Sequence, residues 1–204
     1  MEPIRIYTIS APRKPLRFVR VIVDASRRHK MITLYLLRHA KSSHAGNGGD
    51  DKARPLNVRG RHAATMMGRH MRDAGFRPSH VLCSTSERTR ETLEILGAAA
   101  GWAAHDPSQD FVDHLYLATP GDILSVLQNL DETIPSALVI GHNPGIHELA
   151  YLLAVPRGEL YQQLLETYPT GALTVLTTLT ERWRTIGATP MALSAFDQPR
   201  SLVG

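Results

Sequence analysis

The 204-residue sequence has one cysteine, Cys83, which excludes an intrachain disulfide and leaves no thiolate set for a zinc site. It has no run of about 18 apolar residues, the length a membrane-spanning helix needs. The long apolar core of a secretory signal is missing as well. The expectation is a cytoplasmic protein with no membrane partner. There is no internal repeat and no sign of a second domain. Beyond residue 30 the chain also lacks an excess of positive charge. The formal net charge of +4 arises in residues 1–30, which hold eight Lys/Arg against two Asp/Glu, while the remaining 15 Lys/Arg face 17 Asp/Glu. Such a mildly acidic body gives no support to nucleic-acid binding.

What is there reads as a soluble globular protein: 43% hydrophobic and 21% charged residues, with a length sufficient to bury a proper core. Residues 31–204 are expected to form a single domain. Residues 1–30 stand apart, with Pro3, Pro12 and Pro15, an apolar patch at Phe18-Val19-Arg20-Val21-Ile22-Val23 and the cluster Arg27-Arg28-His29-Lys30. This basic extension is expected to be disordered or to lie upstream of the true start, since Met31 falls directly before the first strand. A cleaved transit peptide or a basic arm for an acidic partner are the alternatives.

From there the pattern predicts strand 32–37, helix 57–74, strand 79–83, helix 86–100, a short strand near 109–113 and helix 120–130. Strand 137–141, helix 145–154, helical residues 157–167 and strands near 172–178 and 182–186 complete it. Asn57 can cap the first helix, whose Ala63, Met66, Met67 and Met71 recur at helical spacing, and Gly75 with Pro78 stops it. Strands alternating with helices imply an α/β fold. The expected form is a three-layer α/β/α sandwich, its central sheet mostly parallel, with helices on both faces and an antiparallel edge.

Two of these strands end in a histidine. Thr33-Leu34-Tyr35-Leu36-Leu37 runs into Arg38-His39-Ala40-Lys41-Ser42, and Ala137-Leu138-Val139-Ile140 runs into Gly141-His142-Asn143-Pro144. Between them, Val81-Leu82-Cys83 opens into a loop that brings Arg88. Loops at the carboxyl ends of strands in an open α/β sheet share one crevice, so two imidazoles and two guanidiniums would meet in one small pocket. That set suits a phosphoryl group. In transfer such a group spreads charge over three equatorial oxygens, and catalysis is mostly positioning and electrostatic stabilisation. Arg38 and Arg88 can each grip two oxygens through a planar fork. A neutral His39 could act as nucleophile, and a protonated His142 could add a donor. Arg54 and Lys41 could add positive field at the pocket mouth. No metal or other cofactor is required, because the guanidiniums can do the neutralising.

Other chemistries fail on spacing. Cys83 sits five positions before Arg88, one short of the cysteine-phosphatase arrangement, and its loop lacks the glycines that would aim N–H groups at phosphate. It is expected to be a small hydrophobe closing a strand. His147-Glu148 resembles the start of a zinc-protease helix, but position 151 is Tyr and the second ligand is missing. Gly46-Asn47-Gly48-Gly49 lacks dinucleotide fingerprint spacing and is expected to form a mobile lip beside the pocket.

The residues Leu36-Leu37-Arg38-His39-Ala40-Lys41-Ser42, the block Ser84-Thr85-Ser86-Glu87-Arg88-Thr89-Arg90-Glu91-Thr92 and Gly141-His142-Asn143-Pro144 resemble the histidine phosphatase (phosphoglycerate mutase-like) superfamily. The stretch Asp51–Gly60 and the turn Tyr168-Pro169-Thr170-Gly171-Ala172 belong to the same pattern, which runs from about residue 32 to about residue 185. Within the superfamily the chain is most similar to the short SixA-type phosphohistidine phosphatases. The resemblance implies His39 as the phosphorylated nucleophile and Arg38, Arg88 and His142 as the rest of the phosphate pocket; Arg54, from its charge at the mouth, is a further candidate substrate contact. For the general acid it points to Asp113, which precedes a Leu-Tyr pair, with Asp110 as the fallback.

Only 53 residues separate Arg88 from His142, where mutase-type relatives carry a sizeable capping insertion. The pocket should therefore be open. An open pocket suits a phosphorylated protein carrying phosphohistidine, or a small phosphorylated metabolite. Mutase activity is disfavoured, because it needs a phosphoenzyme shielded from water. A phosphomonoesterase or mutase on the same scaffold, and a non-catalytic phosphate-binding module, are the competing readings.

Overall fold

The computed structural model describes residues 31–43, 50–103, 106–178 and 182–202. The expected basic extension and the glycine-rich lip at 46–49 lie outside the described residues. Six strands form one sheet: β1 (Ile32–Arg38), β2 (His80–Ser84), β3 (Ser108–Val112), β4 (Ser136–Gly141), β5 (Leu173–Thr178) and β6 (Ala192–Asp197). Their order is β3-β2-β4-β1-β5-β6. β3, β2, β4 and β1 pair in parallel, whereas β5 pairs antiparallel with both β1 and β6. The sheet is thus parallel in its first four strands and mixed at the other side.

The central strands are apolar along their whole length because both of their faces are covered. Side chains alternate across the sheet, and β1 shows the consequence. Leu34 and Leu36 enter one core, together with Val139 of β4. Tyr35 and Leu37 enter the other, with Leu138 and Ile140. The second core is closed by α1 (Val58–Asp73) and α2 (Glu87–Ala100), through Met67, Met71, Leu93 and Leu96. The first is closed by α3 (Pro120–Gln128), α4 (Gly145–Leu153) and α5 (Glu159–Glu166), through Ile123, Leu127, Ile146, Leu149 and Leu164. This is the three-layer α/β/α arrangement.

Helix boundaries follow the capping chemistry. The Asn57 side chain accepts from the Gly60 amide at 2.8 Å, and Gly75, just past the end of α1, has φ +71°, a left-handed value that glycine adopts without penalty. Thr119 and Asp122 form a reciprocal capping box at the start of α3. Cys83 is fully buried on β2, and burial pushes its thiol up to about 12, as expected of a small hydrophobe.

One expected strand is corrected. The segment near 182–186 is a single turn of 3₁₀ helix, Trp183–Thr185, and the last strand is β6, further along. The reason is Trp183. Its ring is buried in the first core, its indole N–H donates to the Ile134 carbonyl at 2.8 Å and its amide donates to Glu132 at 2.7 Å. A tight turn satisfies both donors while burying the largest side chain in the protein.

Candidate active site

β1, β4 and the N-terminus of α2 end at the same edge of the sheet, and the loops there enclose one pocket. Its walls include Arg38, His39, Arg54, Arg88 and His142. The backbone of Arg38 and His39 is clamped from two sides. The His39 amide donates to Gly141 at 3.0 Å and the Arg38 amide donates to Ala172 at 3.1 Å. From the late turn, the Gly171 amide donates to the carbonyls of Arg38 and His39 at 3.0 and 3.1 Å. Gly171 has φ +80°, so the turn depends on a residue without a Cβ at this point. The Arg38 guanidinium donates to the Tyr168 carbonyl at 2.8 Å, while its Nε is buried with no hydrogen-bond partner. A cationic donor left over beside an open pocket is one that could serve an anion.

The tautomers of the two histidines follow from their neighbours. His39 Nδ1 lies 2.7 Å from the Ala40 carbonyl, which can only accept, so Nδ1 carries the proton and Nε2 carries a lone pair. His142 has the opposite arrangement. Its Nδ1 is 3.4 Å from the Arg88 guanidinium, which can only donate, and its Nε2 is 2.9 Å from Ser84 Oγ. The rings stand 5.2 Å apart. Burial lowers the His39 pKa to about 4, with Arg88, Arg38 and Arg54 adding to the effect. Burial, then the His39 ring and Arg88, lowers that of His142 to about 3. Both imidazoles are neutral at neutral pH, and the positive charge in the pocket comes from its arginines and Lys41.

Arg88 is almost fully buried, at 3% exposure, in the first turn of α2. Its two terminal nitrogens reach Asp51, one to the main-chain oxygen at 2.6 Å and one to Oδ2 at 3.1 Å. Arg54 binds the other carboxylate oxygen at 2.7 Å and the Ser43 carbonyl at 2.7 and 2.9 Å. The Tyr116 hydroxyl donates to Asp51 Oδ2 at 2.8 Å, and the Tyr116 ring meets His142 edge-on at 5.4 Å between centroids. Arg54, Tyr116 and Arg88 together hold the Asp51 carboxyl down to about 2.

The structure brings Arg38, His39, Arg88, His142 and Arg54 together, and it does not bring Asp113 in with them. Asp113 lies on the outer side of the rim, its carboxylate bound by Lys52 and by the Thr85 hydroxyl, with its side chain 74% exposed. Lys52 lowers its pKa, the wrong direction for a proton donor. Asp110 is on the outer strand β3, facing His80 at 3.1 Å. The pocket carboxylate is Asp51, a residue of the Asp51–Gly60 stretch to which the sequence assigns no role. Its one signal was its position three residues before Arg54. Tyr116 and Ser84 were missed in the same way. His147, which heads the incomplete zinc-protease pattern, bonds the Leu164 carbonyl at 2.6 Å. Among the described residues, no group of three or more His, Cys, Asp or Glu is arranged to hold a metal, and no helix is long and apolar enough to cross a membrane.

Comparison with known proteins bears on the family and the fold. Residues 34–112 match the family model of the histidine phosphatase superfamily (branch 1). The chain is 31% identical over 167 residues to an uncharacterised protein of Mycobacterium tuberculosis, covering 80% of this chain and 100% of that one. It superposes on a Nakamurella multipartitia structure assigned as the phosphohistidine phosphatase SixA with a TM-score of 0.70 at 29% identity, over 83% of this chain and 96% of the other. An Agrobacterium tumefaciens structure with the same assignment gives 0.67 at 28% identity, over 82% and 97%. Sequence, fold and the convergence of the two strand-end histidines therefore agree that the chain belongs to the histidine phosphatase superfamily.

Proposed function

We propose that this protein is a metal-independent phosphatase that forms a covalent phosphohistidine on His39, with phosphohistidine in a protein as its substrate. The observation that carries the reading is the unprotonated His39 Nε2 standing in a pocket lined by the guanidiniums of Arg38, Arg54 and Arg88. In the first step Nε2 attacks phosphorus, an N–P bond forms to His39, and the N–P bond to the substrate imidazole breaks. That imidazole departs with a proton from solvent. In the second step water adds to the phosphoryl group, the bond to His39 breaks, and inorganic phosphate leaves with His39 restored. Arg38, Arg88 and Arg54 carry the charge on the equatorial oxygens. His142 Nδ1, now facing Arg88, takes up a proton when the anion offsets the neighbouring cations, and then donates to an oxygen.

The similarity to the SixA structures and the open pocket support a protein-borne phosphoryl group. An imidazole leaves readily once protonated, so a strong general acid is unnecessary, which fits a pocket whose one carboxylate is held ionised by three donors. Asp113 takes no part in this scheme beyond its contact with Lys52. The test is alkaline-quenched mass spectrometry of the protein turning over a phosphohistidine peptide, with a panel of alkyl phosphates alongside. Phosphate should appear on His39, His39→Ala should lose essentially all activity while remaining folded, and excess chelator should leave the rate unchanged. Label on another residue would overturn the assignment. Efficient turnover of alkyl phosphates with none of the peptide would replace the substrate with a small metabolite.

A further inference from the structure

Arg88 has to present two nitrogens to a phosphoryl group, yet both of its terminal nitrogens are already engaged. One donates to the Asp51 main-chain oxygen at 2.6 Å and the other to the Asp51 carboxylate at 3.1 Å. The second carboxylate oxygen holds Arg54 at 2.7 Å, another of the pocket cations. Asp51 thus stands on two arginines as a bridging anion would, with one oxygen on each. We infer that Asp51 is an internal competitor for the phosphoryl site, which the substrate displaces and which returns to Arg88 and Arg54 as phosphate leaves.

Several observations support a held but displaceable group. Asp51 begins a one-turn 3₁₀ helix, Asp51–Ala53, rather than a long element, so the residue can move without unfolding the sheet or a packed helix. Its carboxylate is half-exposed, at 46%, whereas Arg88 is 4% exposed in its side chain; the cation is fixed and the anion is the partner that can leave. The turn is held by contacts outside the arginines: Tyr116 donates to Oδ2 at 2.8 Å, and Lys52 next to it pairs with Asp113. Of these, the Tyr116 hydroxyl can stay on the carboxylate as it gives way, and the Lys52–Asp113 pair anchors the turn beside it.

Charge makes the effect directional. With both histidines neutral, three guanidiniums, the Lys41 ammonium and one carboxylate leave the pocket lining at +3, and the carboxylate is its one negative charge. Removing the carboxylate would leave +4 and hold a phosphoryl dianion more firmly. A merely orienting role for Asp51 predicts the reverse, because freeing Arg88 would blur its aim and weaken binding. The two roles therefore differ in the sign of a single measurement.

The inference rests on the proposed phosphoryl site, and the experiment separates the two. Calorimetric titration with inorganic phosphate is run on wild type, Asp51→Asn and Tyr116→Phe, each checked for its thermal transition. Asp51→Asn should lower the phosphate Kd by about ten-fold or more, the scale of removing one like charge next to a bound anion. Tyr116→Phe, which loosens the carboxylate but keeps its charge, should lower it by a smaller factor. The inhibition constant of phosphate in turnover should fall in the same order. Equal or weaker binding by folded Asp51→Asn, with wild type binding phosphate normally, would overturn the competitor role alone. If folded wild type takes up no phosphate, the phosphoryl site itself is overturned.

Discussion

Thr92 ties the loop of His39 to the helix of Arg88: its Oγ1 accepts from the Ala40 amide at 3.0 Å and donates to the Arg88 carbonyl at 2.6 Å. Thr92 is fully buried. His39 follows β1 and Arg88 lies in α2, which follows β2; β4 separates the two strands, so no shared element fixes the distance, and Thr92 bridges it.

Thr92→Val keeps the volume and removes that link. The Ala40 amide loses its partner in a dry site, a change worth about 1–3 kcal/mol of stability. The Tm should fall by a few degrees while the cooperative transition survives. kcat should fall by about ten-fold or more, because sub-ångström placement of nucleophile and cation governs the chemical step, and KM should change little. A variant with wild-type kcat would mean that the Gly141 and Gly171 clamps suffice.

The His39 tautomer gives a spectroscopic prediction. With Nδ1–H on the Ala40 carbonyl and a pKa of about 4, ring ¹⁵N shifts should report a bare Nε2 from neutral pH down to near pH 5. The acid limb of kcat/KM should correspondingly fall below the 6.5 of an ordinary histidine, once the substrate's own titration is divided out. A midpoint near 6.5 for this ring would contradict the neutral, buried nucleophile.

The expectation for Asp113 changes with its geometry. Bound to Lys52 and Thr85 on the outer rim, Asp113→Asn should alter turnover of phosphohistidine and of alkyl phosphates alike by less than about three-fold, since a general acid would be worth about 10²–10⁴-fold. A large loss confined to alkyl phosphates would restore it as the proton donor.

The sequence carried the parts of the site that sit at strand ends. Arg38, His39 and His142 follow apolar runs that have to be buried on both faces, so their place at the carboxyl edge comes with the strands. Arg88 follows because α2 begins directly after β2. Asp51 and Tyr116 had no such signal. Each lies in or beside a single 3₁₀ turn, and their meeting with Arg88 joins positions 51, 88 and 116, a contact without periodicity. Asp113 was placed on the right loop but the wrong side of it. The turn Asp113–Leu115 directs Tyr116 to the pocket and the carboxylate outward. The same limit explains residues 182–186, where Arg182-Trp183-Arg184-Thr185-Ile186 holds two large apolar residues between polar ones and has the geometry of a turn.

Burial of two neutral histidines makes stability depend on pH in a defined direction. In the unfolded chain each titrates near 6.5, while in the folded protein His39 titrates at about 4 and His142 at about 3. Between those values the unfolded state binds protons that the folded state refuses. Stability should be full above pH 6.5, fall as pH drops towards 4, and stop falling on this account near pH 3. The limiting slope is about 1.4 kcal/mol per pH unit for each histidine. Urea unfolding at a series of pH values measures it, and His39→Gln with His142→Gln supplies the control. Absolute stability of the double variant will shift through lost packing, but its slope between pH 6 and 4.5 should be shallower than that of wild type. Parallel slopes would show that both imidazoles become protonated inside the fold, and the neutral pocket would have to be abandoned.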